Sequence, residues 1–362
     1  MNAALASLTV RLGAIVENYR ICERLSGTKV AAVVKADAYG LGMQPIARAL
    51  VVAGCDTFFV ARLEEGVRLR PAVPDARIFV LDGLAAREVD PLVAHRLTPT
   101  LNSLREIAAW SAAARARNTI FDAAIHIDTG MNRLGMPPEE ASVLTGDRRE
   151  KLRQLNLVLI MSHLACSDDS GAAMNGEQLA RFRAFLARLP PAPASLSPSG
   201  GVLLGREYAF DMVRPGIALY GGNPQPGTPN PFKTVVHLTG RVLQLRCVDK
   251  GGSVGYGATF HTRRPTTLAT VALGYADGLM RAIGNRGAGA IGGARAPVVG
   301  RVSMDLVTLD VSDIPGVETG SEVEFLGDSI ALEEAAAAAN TANYEILTSL
   351  GARVKRVYAS AR

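Results

Sequence analysis

Over the first two thirds of the chain, short apolar runs alternate with stretches of helical periodicity. "KVAAVV" at 29–34 precedes "MQPIARALVVAG", and "TFFV" at 57–60 precedes "LEEGVRLRPAV". "RIFVLDG", "LTPTL", "DAAIHID" and "NLVLIMSHL" each lead into a further helical pattern: "REVDPLVAHR", "SLREIAAWSAAARAR", "PEEASVLTG" and "GEQLARFRAFLARL". "PASLSPS" and "REYAFDMVRPGIALYG" complete eight candidate strands. Repeated strand-then-helix units of this number predict an α/β fold, a parallel (β/α)8 TIM barrel over residues 1–230. A doubly wound open sheet is the alternative that strand counting leaves open.

"GGNPQPGTPNP" at 221–231 reads as a linker, dense in Pro, Gly and Asn. Beyond it the texture changes. "KTVVHLTGRVLQLRCV", "TTLATVALGY", "APVVGRVSMDLVTLDV" and "SEVEFLG" read as strands between glycine-bearing turns, and only "ALEEAAAAANTANYEILTSLG" reads as helix. Residues 231–362 are therefore expected to form a mostly antiparallel β domain.

Composition narrows the function classes. The net charge of +5 comes from 39 basic and 34 acidic residues that are interspersed, so no basic block points to nucleic acid. The four cysteines, Cys22, Cys55, Cys166 and Cys247, are scattered and form no C-x-x-C pair. That fits reduced thiols and a cytoplasmic location. No signal-peptide pattern opens the chain, and no run of 18 apolar residues predicts a membrane span.

On a barrel, chemistry belongs at the C-terminal ends of the strands. Lys35 ends the run "AAVV", as a snorkelling lysine or as a Schiff-base lysine with a depressed pKa. His163 follows "LIMS", Ser197 and Ser199 sit beside two glycines, and Arg214 precedes Gly216 and Ile217. Each alone is more often structural. Together, hydroxyls, a glycine-rich turn and backbone N–H groups near the last strands fit a phosphate site. "GAGAIG" at 287–292 matches a dinucleotide fingerprint in spelling, with Asp305 and Asp310 downstream. No strand leads into it and no helix follows, so it reads as a β-turn region. Asp168 and Asp169 read as loop carboxylates, and no metal motif is present.

The stretches "AVVKADAYGLG", "HIDTGMNRLG", "SHLACSDD", "FDMVRPGIALYG", "SVGYGATF", "GYADGL", "GRVSMDL" and "NYEILTSLGARVKRVY" together resemble the alanine racemases, pyridoxal-phosphate-dependent enzymes of fold type III. The resemblance implies that Lys35 carries pyridoxal 5'-phosphate, with the glycines after it letting Tyr39 and the turn approach the cofactor. Tyr39, Ser199, Gly216, Ile217 and Tyr344 would surround the phosphate. Arg214 would face the pyridine nitrogen, and Arg133 the phenolic oxygen and the substrate carboxylate. Tyr256, Tyr275 and Met304, with Asp305 beside them, would come from the β domain of a second subunit in a head-to-tail homodimer. His163 would bond to Tyr256.

The implied reaction interconverts L- and D-alanine, supplying D-alanine for peptidoglycan. It needs one base on each face of the Cα, Lys35 and Tyr256. A free phenol ionises near pH ~10, so a tyrosine base needs cations or hydrogen bonds beside it. An arginine at the ring nitrogen does not accept a proton as an acid would donate one, which weakens the electron sink and limits side reactions.

Two departures stand out. His126 occupies the position of a lysine that the family often carbamylates, so Arg133 is expected to find another acceptor, a carboxylate, a carbonyl or an anion. Pro198 replaces an asparagine before Ser199. The competing readings are a racemase of serine, lysine or another amino acid, a barrel-only cofactor carrier, which "SVGYGATF" disfavours, and a related decarboxylase, which Arg214 disfavours.

Overall fold

A computed structural model describes residues 4–145 and 152–359 of the chain. The helical pattern "PEEASVLTG" runs to residue 146, which lies outside them; its described part is the helix Pro138–Ser142.

Eight parallel strand segments close into a barrel among the described residues. Strands Ala32–Val33, Thr57–Val60, Arg77–Val80, Leu97–Leu101, Phe121–His126, Leu155–Met161 and Ala194–Ser195 pair in sequence order. The eighth, Met212–Val213, pairs in parallel with Lys29–Val30. The Ala31 N–H joins these short segments by reaching the Val213 carbonyl at 2.9 Å, and the Val33 N–H reaches the Pro215 carbonyl at 3.0 Å. On the other flank the Asp211 N–H reaches the Ala194 carbonyl at 3.1 Å and the Arg214 N–H the Ser197 carbonyl at 2.9 Å. The open-sheet alternative is thereby excluded.

The strands are near-continuous apolar runs because helices cover their outer face and the packed interior their inner face. Phe58, Phe59 and Phe79 are fully buried, and the rings of Phe59 and Phe79 stack at 4.7 Å. Each such side chain contributes about 1.5–3 kcal/mol by leaving water. The intervening helices start where the sequence provides a cap. Ser103, for example, accepts the Glu106 N–H at the start of Leu104–Ala116.

One boundary differs from expectation. Residues 1–230 do not all belong to the barrel. Strand Ala6–Arg11 lies in the second unit's sheet, antiparallel to Val236–Val248 and parallel to Lys355–Ala359. The helix Leu12–Ser26 then carries the chain into the barrel and ends at Gly27 with φ 67°. "SLTVR" alternates polar and apolar residues, a half-buried strand with period two rather than a barrel strand.

The long strand Val236–Val248 organises the second unit, pairing antiparallel with Ala6–Arg11, Thr266–Val271 and Glu322–Leu326. The "GAGAIG" stretch is a hairpin, Ala288–Ile291 against Ala294–Pro297, turning at Gly292 and Gly293, both at positive φ. No helix follows it. The predicted C-terminal helix is two, Leu332–Ala339 and Asn343–Thr348, separated where Asn340 turns left-handed at φ 55°.

The linker is tied to both units. Asn18 Nδ2 donates to the Leu219 and Lys233 carbonyls, while the Asn223 N–H donates to Glu333 and Asn343 Nδ2 donates to the Asn223 carbonyl. One apolar core runs through barrel and β domain alike.

Candidate active site

A cavity of about 590 Å³ opens at the C-terminal end of the barrel. Lys35, Tyr39, Arg133, His163, Ser199, Arg214, Gly216 and Tyr344 all line it, together with His126, Phe59, Asp82 and Thr348. Eight of the residues singled out from the sequence thus meet at one place.

Lys35 leaves the first barrel strand and enters a turn of unusual hand. Ala36, Asp37, Ala38 and Tyr39 have φ of 52°, 54°, 55° and 57°. L-residues disfavour this conformation by about 1–2 kcal/mol each, and it rarely persists beyond a single residue. None of the four is glycine. Gly40 and Gly42 end the turn. A Cβ on Gly40 would lie 2.8 Å from the Leu347 carbonyl oxygen, and one on Gly42 would lie 1.9 Å from Tyr358 Oη. These glycines admit the C-terminal segment against the turn. Burial is the main cause that lowers the Lys35 pKa, and the Arg133 charge adds to it, while Asp82 and Glu65 act in the opposite sense. A lysine so placed is available as a free amine nearer neutral pH than an exposed one.

Arg214 is buried. Its guanidinium donates to Ser195 Oγ, to the Ser162 carbonyl at 2.5 Å, and to His163 Nδ1 at 3.5 Å. It also sits 5.9 Å from the centre of the Phe59 ring. All its partners are neutral, and no carboxylate among the described residues pairs with it. A buried cation without a counterion is costly, so the site is built to receive an electron-rich group. Because His163 accepts at Nδ1, its proton resides on Nε2. Burial and then Arg214 hold its pKa well below the usual value, so the ring is neutral.

Ser199 starts the helix Ser199–Leu204. Its Oγ accepts the backbone N–H groups of Gly216 and Ala218 at 2.9 and 3.2 Å. The Gly216 N–H expected for an anion is therefore already engaged, and the serine's own proton is left to donate. Ile217 lies fully buried behind the cavity rather than on its wall. A Cβ on Gly216 would stand 2.1 Å from Tyr39 Oη, so only glycine admits the Tyr39 hydroxyl at that corner. Tyr39 packs against Tyr220 and Tyr344 with ring centres 4.8 and 6.1 Å away. Burial raises the pKa of both Tyr39 and Tyr344, the latter to about 12, so both phenols stay protonated donors.

The "DTGMNRLG" motif is a closed excursion. The Met136 N–H bonds to the His126 carbonyl at 2.8 Å and the Asp128 N–H to the Met136 carbonyl at 2.9 Å. Within it the Asp128 carboxylate accepts the N–H groups of Gly130, Met131 and Asn132. This presents Arg133 to the cavity. Arg133 is exposed, and no carboxylate or carbonyl among the described residues takes the place of the expected anchor. His126 instead bonds through Nδ1 to Asn102 Oδ1 at 2.9 Å. Asn102 Nδ2 donates to the carbonyls of Leu81 and Thr100, so its oxygen faces the ring and His126 carries its proton on Nδ1. Burial, followed by the Arg214 charge, lowers the His126 pKa to about 4.

Tyr256, Tyr275 and Met304 do not line the cavity of their own chain. They are 72%, 42% and 53% exposed, and no hydrogen bond links His163 to Tyr256 among the described residues. The loops of Tyr275 and Met304 are nonetheless fixed. Arg353 grips Asp277 at 2.6 Å and Asp305 at 2.7 Å, and the Tyr275 N–H bonds to the Ser303 carbonyl. Glu65, Asn102, Ser162 and Ser195 were not singled out from the sequence. Of these only Glu65 carried a signal, an acid in the first turn of a helix. No described group of three or more His, Cys, Asp or Glu residues could hold a metal. No helix among the described residues is long and apolar enough to cross a membrane.

Comparison with known proteins covers both units. The alanine racemase N-terminal domain family matches residues 10–224 and the alanine racemase C-terminal domain family residues 235–358. Over 364 residues the chain is 46% identical to an alanine racemase of Rhodospirillum rubrum, spanning 99% of this chain and 97% of that protein. It is 47% identical to a catabolic alanine racemase of Agrobacterium fabrum, over 97% of this chain and 91% of that one. The crystal structure of alanine racemase from Bartonella henselae, with covalently bound pyridoxal phosphate, superposes with a TM-score of 0.94 at 41% identity, covering 99% and 100% of the two chains. The biosynthetic alanine racemase of Pseudomonas aeruginosa gives 0.92 at 34% identity, again over 99% and 100%.

Proposed function

The chain belongs to the alanine racemase family and is a pyridoxal-phosphate-dependent alanine racemase, and from that premise we propose how its own residues divide the work. The reading rests on one observation above all. Lys35, the unpaired Arg214, the neutral His163 and the Ser199–Gly216 corner share a single cavity.

The donor set fits the cofactor. Ser199, Tyr39 and Tyr344 offer protons to a phosphate, the missing Cβ of Gly216 lets the Tyr39 hydroxyl reach that corner, and Arg214 offers a cation to the ring nitrogen. Lys35 offers the amine. Bound there, pyridoxal phosphate supplies the electron sink that makes the Cα–H bond of an amino acid acidic. Arg214 limits that sink, because a guanidinium gives up its proton far less readily than a carboxylic acid. Arg133, with no hydrogen bond or ion pair to a described residue, orients the alanine carboxylate. Lys35 moves the proton on one face of Cα, its basicity tuned by burial.

The second base is Tyr256, delivered by the β domain of a partner in a head-to-tail homodimer, with Tyr275 and Met304 beside it. The exposure of all three side chains supports this. The Nε2–H of the neutral His163 then donates to the incoming phenol oxygen and stabilises its ionised form. Tyr256→Phe is expected to keep the cofactor's visible absorbance and to lose about 10²–10⁴-fold in turnover. Unchanged turnover in that variant rules out the two-base assignment.

The physiological role we assign is supply of D-alanine for peptidoglycan, in the cytoplasm, where the four free cysteines are at home. A catabolic role is the second reading, favoured by the 47% identity to the Agrobacterium fabrum protein. Deleting the gene separates them: a requirement for D-alanine supports supply, whereas growth failing only on alanine as carbon source supports catabolism. Assaying several L-amino acids for their D-enantiomers tests alanine against serine and lysine.

A further inference from the structure

The left-handed turn after Lys35 needs an outside cause. Its internal bonds, Ala38 N–H to Val34 carbonyl at 2.9 Å and Gly40 N–H to Ala36 carbonyl at 2.7 Å, have the spacing that a right-handed turn would also make. They do not select the hand. Contacts from elsewhere in the fold do.

Glu65 supplies the first of them. Its Oε1 accepts the N–H of Ala36, the peptide group directly after Lys35, at 2.6 Å. Its Oε2 accepts the N–H groups of Ala61 and Arg62 at 2.8 and 3.2 Å, at the end of the neighbouring barrel strand Thr57–Val60. One carboxylate therefore spans two strand ends. The far end of the turn is held separately, where Arg356 donates twice to the Gly40 carbonyl at 3.0 and 2.8 Å. A plain helix cap for Leu63–Leu69 would need only the Oε2 bonds. The bond to Ala36, 29 residues away in sequence, is additional. Glu65 does not line the cavity.

We infer that Glu65 is a positioning residue for Lys35. By holding the Ala36 N–H it fixes the left-handed turn and with it the direction in which the lysine amine enters the cavity. This rests on the reading of Lys35 as the cofactor-bearing base. The Glu65 charge also favours the protonated amine, after Asp82 and against the larger effects of burial and Arg133.

The test uses holoenzyme of Glu65→Ala and Glu65→Gln, with amide hydrogen exchange over residues 36–42, steady-state kinetics and borohydride trapping. In Glu65→Ala, exchange at 36–40 is expected to rise at least about 10-fold. We expect kcat to fall by up to about 10²-fold, as a reacting group misplaced by about 1 Å does, with KM within about threefold. The acidic limb of the kcat–pH profile should move to lower pH in both variants. Glu65→Gln, nearly isosteric and keeping one acceptor oxygen, should lie between Glu65→Ala and wild type, and it carries the test should Glu65→Ala fail to fold. Exchange that rises only within 63–69, or a kcat loss without faster exchange at 36–40, overturns the inference and leaves Glu65 a helix cap. Trapping separates the two levels. Cofactor fixed on another lysine refutes the reading of Lys35 itself, whereas cofactor on Lys35 with unchanged kcat and exchange refutes only the role of Glu65.

Discussion

Lys35 is the residue on which the proposed chemistry turns, and its environment biases its protonation. Burial and Arg133 press the amine toward its neutral form. Borohydride reduction of the holoenzyme followed by mass spectrometry should find the cofactor on Lys35, and a label on any other lysine contradicts the assignment. His126 stands where the family resemblance implies a carbamylated lysine. It has no amine to carboxylate, so depleting bicarbonate should leave the rate unchanged, whereas His126→Lys should acquire bicarbonate dependence; a bicarbonate effect in the unaltered enzyme would refute this. His126 also predicts a pH dependence of stability. Its folded pKa of about 4 lies below the ordinary histidine value near ~6.5. Between these values the unfolded chain binds more protons than the folded one, so stability is complete above about pH 6.5 and declines as pH falls toward about 4. In His126→Gln that portion of the acid loss should disappear from thermal melts; an identical pH slope would show that His126 does not contribute.

At the scale of elements, the site depends on close approaches that only particular residues permit. Gly216→Ala would drive a methyl group into Tyr39 Oη, 2.1 Å away. Overpacking of this kind costs about 1–3 kcal/mol, and here it displaces the Tyr39 hydroxyl from the proposed phosphate corner. Cofactor affinity should fall about 10-fold or more, with partial recovery in the Gly216→Ala, Tyr39→Phe double variant, where the clashing oxygen is gone. Equal affinity in wild type and Gly216→Ala would refute the cradle. The sequence carried some elements plainly and concealed others. The barrel strands were legible because burial on both faces makes them short apolar runs between glycines. Ala6–Arg11 was not assigned, since its partners lie more than 200 residues away in sequence and local pattern says nothing of them. The left-handed turn was hidden for a related reason. "ADAY" has no glycine to announce positive φ, and the contacts that impose the hand come from Glu65 and Arg356. Asn102 was invisible because only the fold brings it to His126.

For the whole molecule, the proposal is that a single chain holds only part of the machinery, and the arrangement of the two units supports it. The barrel supplies the cavity, and the β domain presents Tyr256, Tyr275 and Met304 on its surface, away from the cavity of their own chain. Arg353 holds the loops of Tyr275 and Met304 through Asp277 and Asp305, and the same C-terminal segment places Tyr344 in the barrel cavity. On the head-to-tail proposal, each chain would complete one site and lend to another. Subunit complementation tests this most directly. Lys35→Ala and Tyr256→Phe are each expected to be nearly inactive. After mixing, with subunit exchange verified by mass spectrometry, a mixed dimer contains one site with both wild-type residues and one with neither. Activity should therefore reappear, approaching one quarter of the wild-type value per subunit for random exchange of equal amounts. Mixtures that exchange fully yet stay as inactive as the parents would contradict a site shared between subunits.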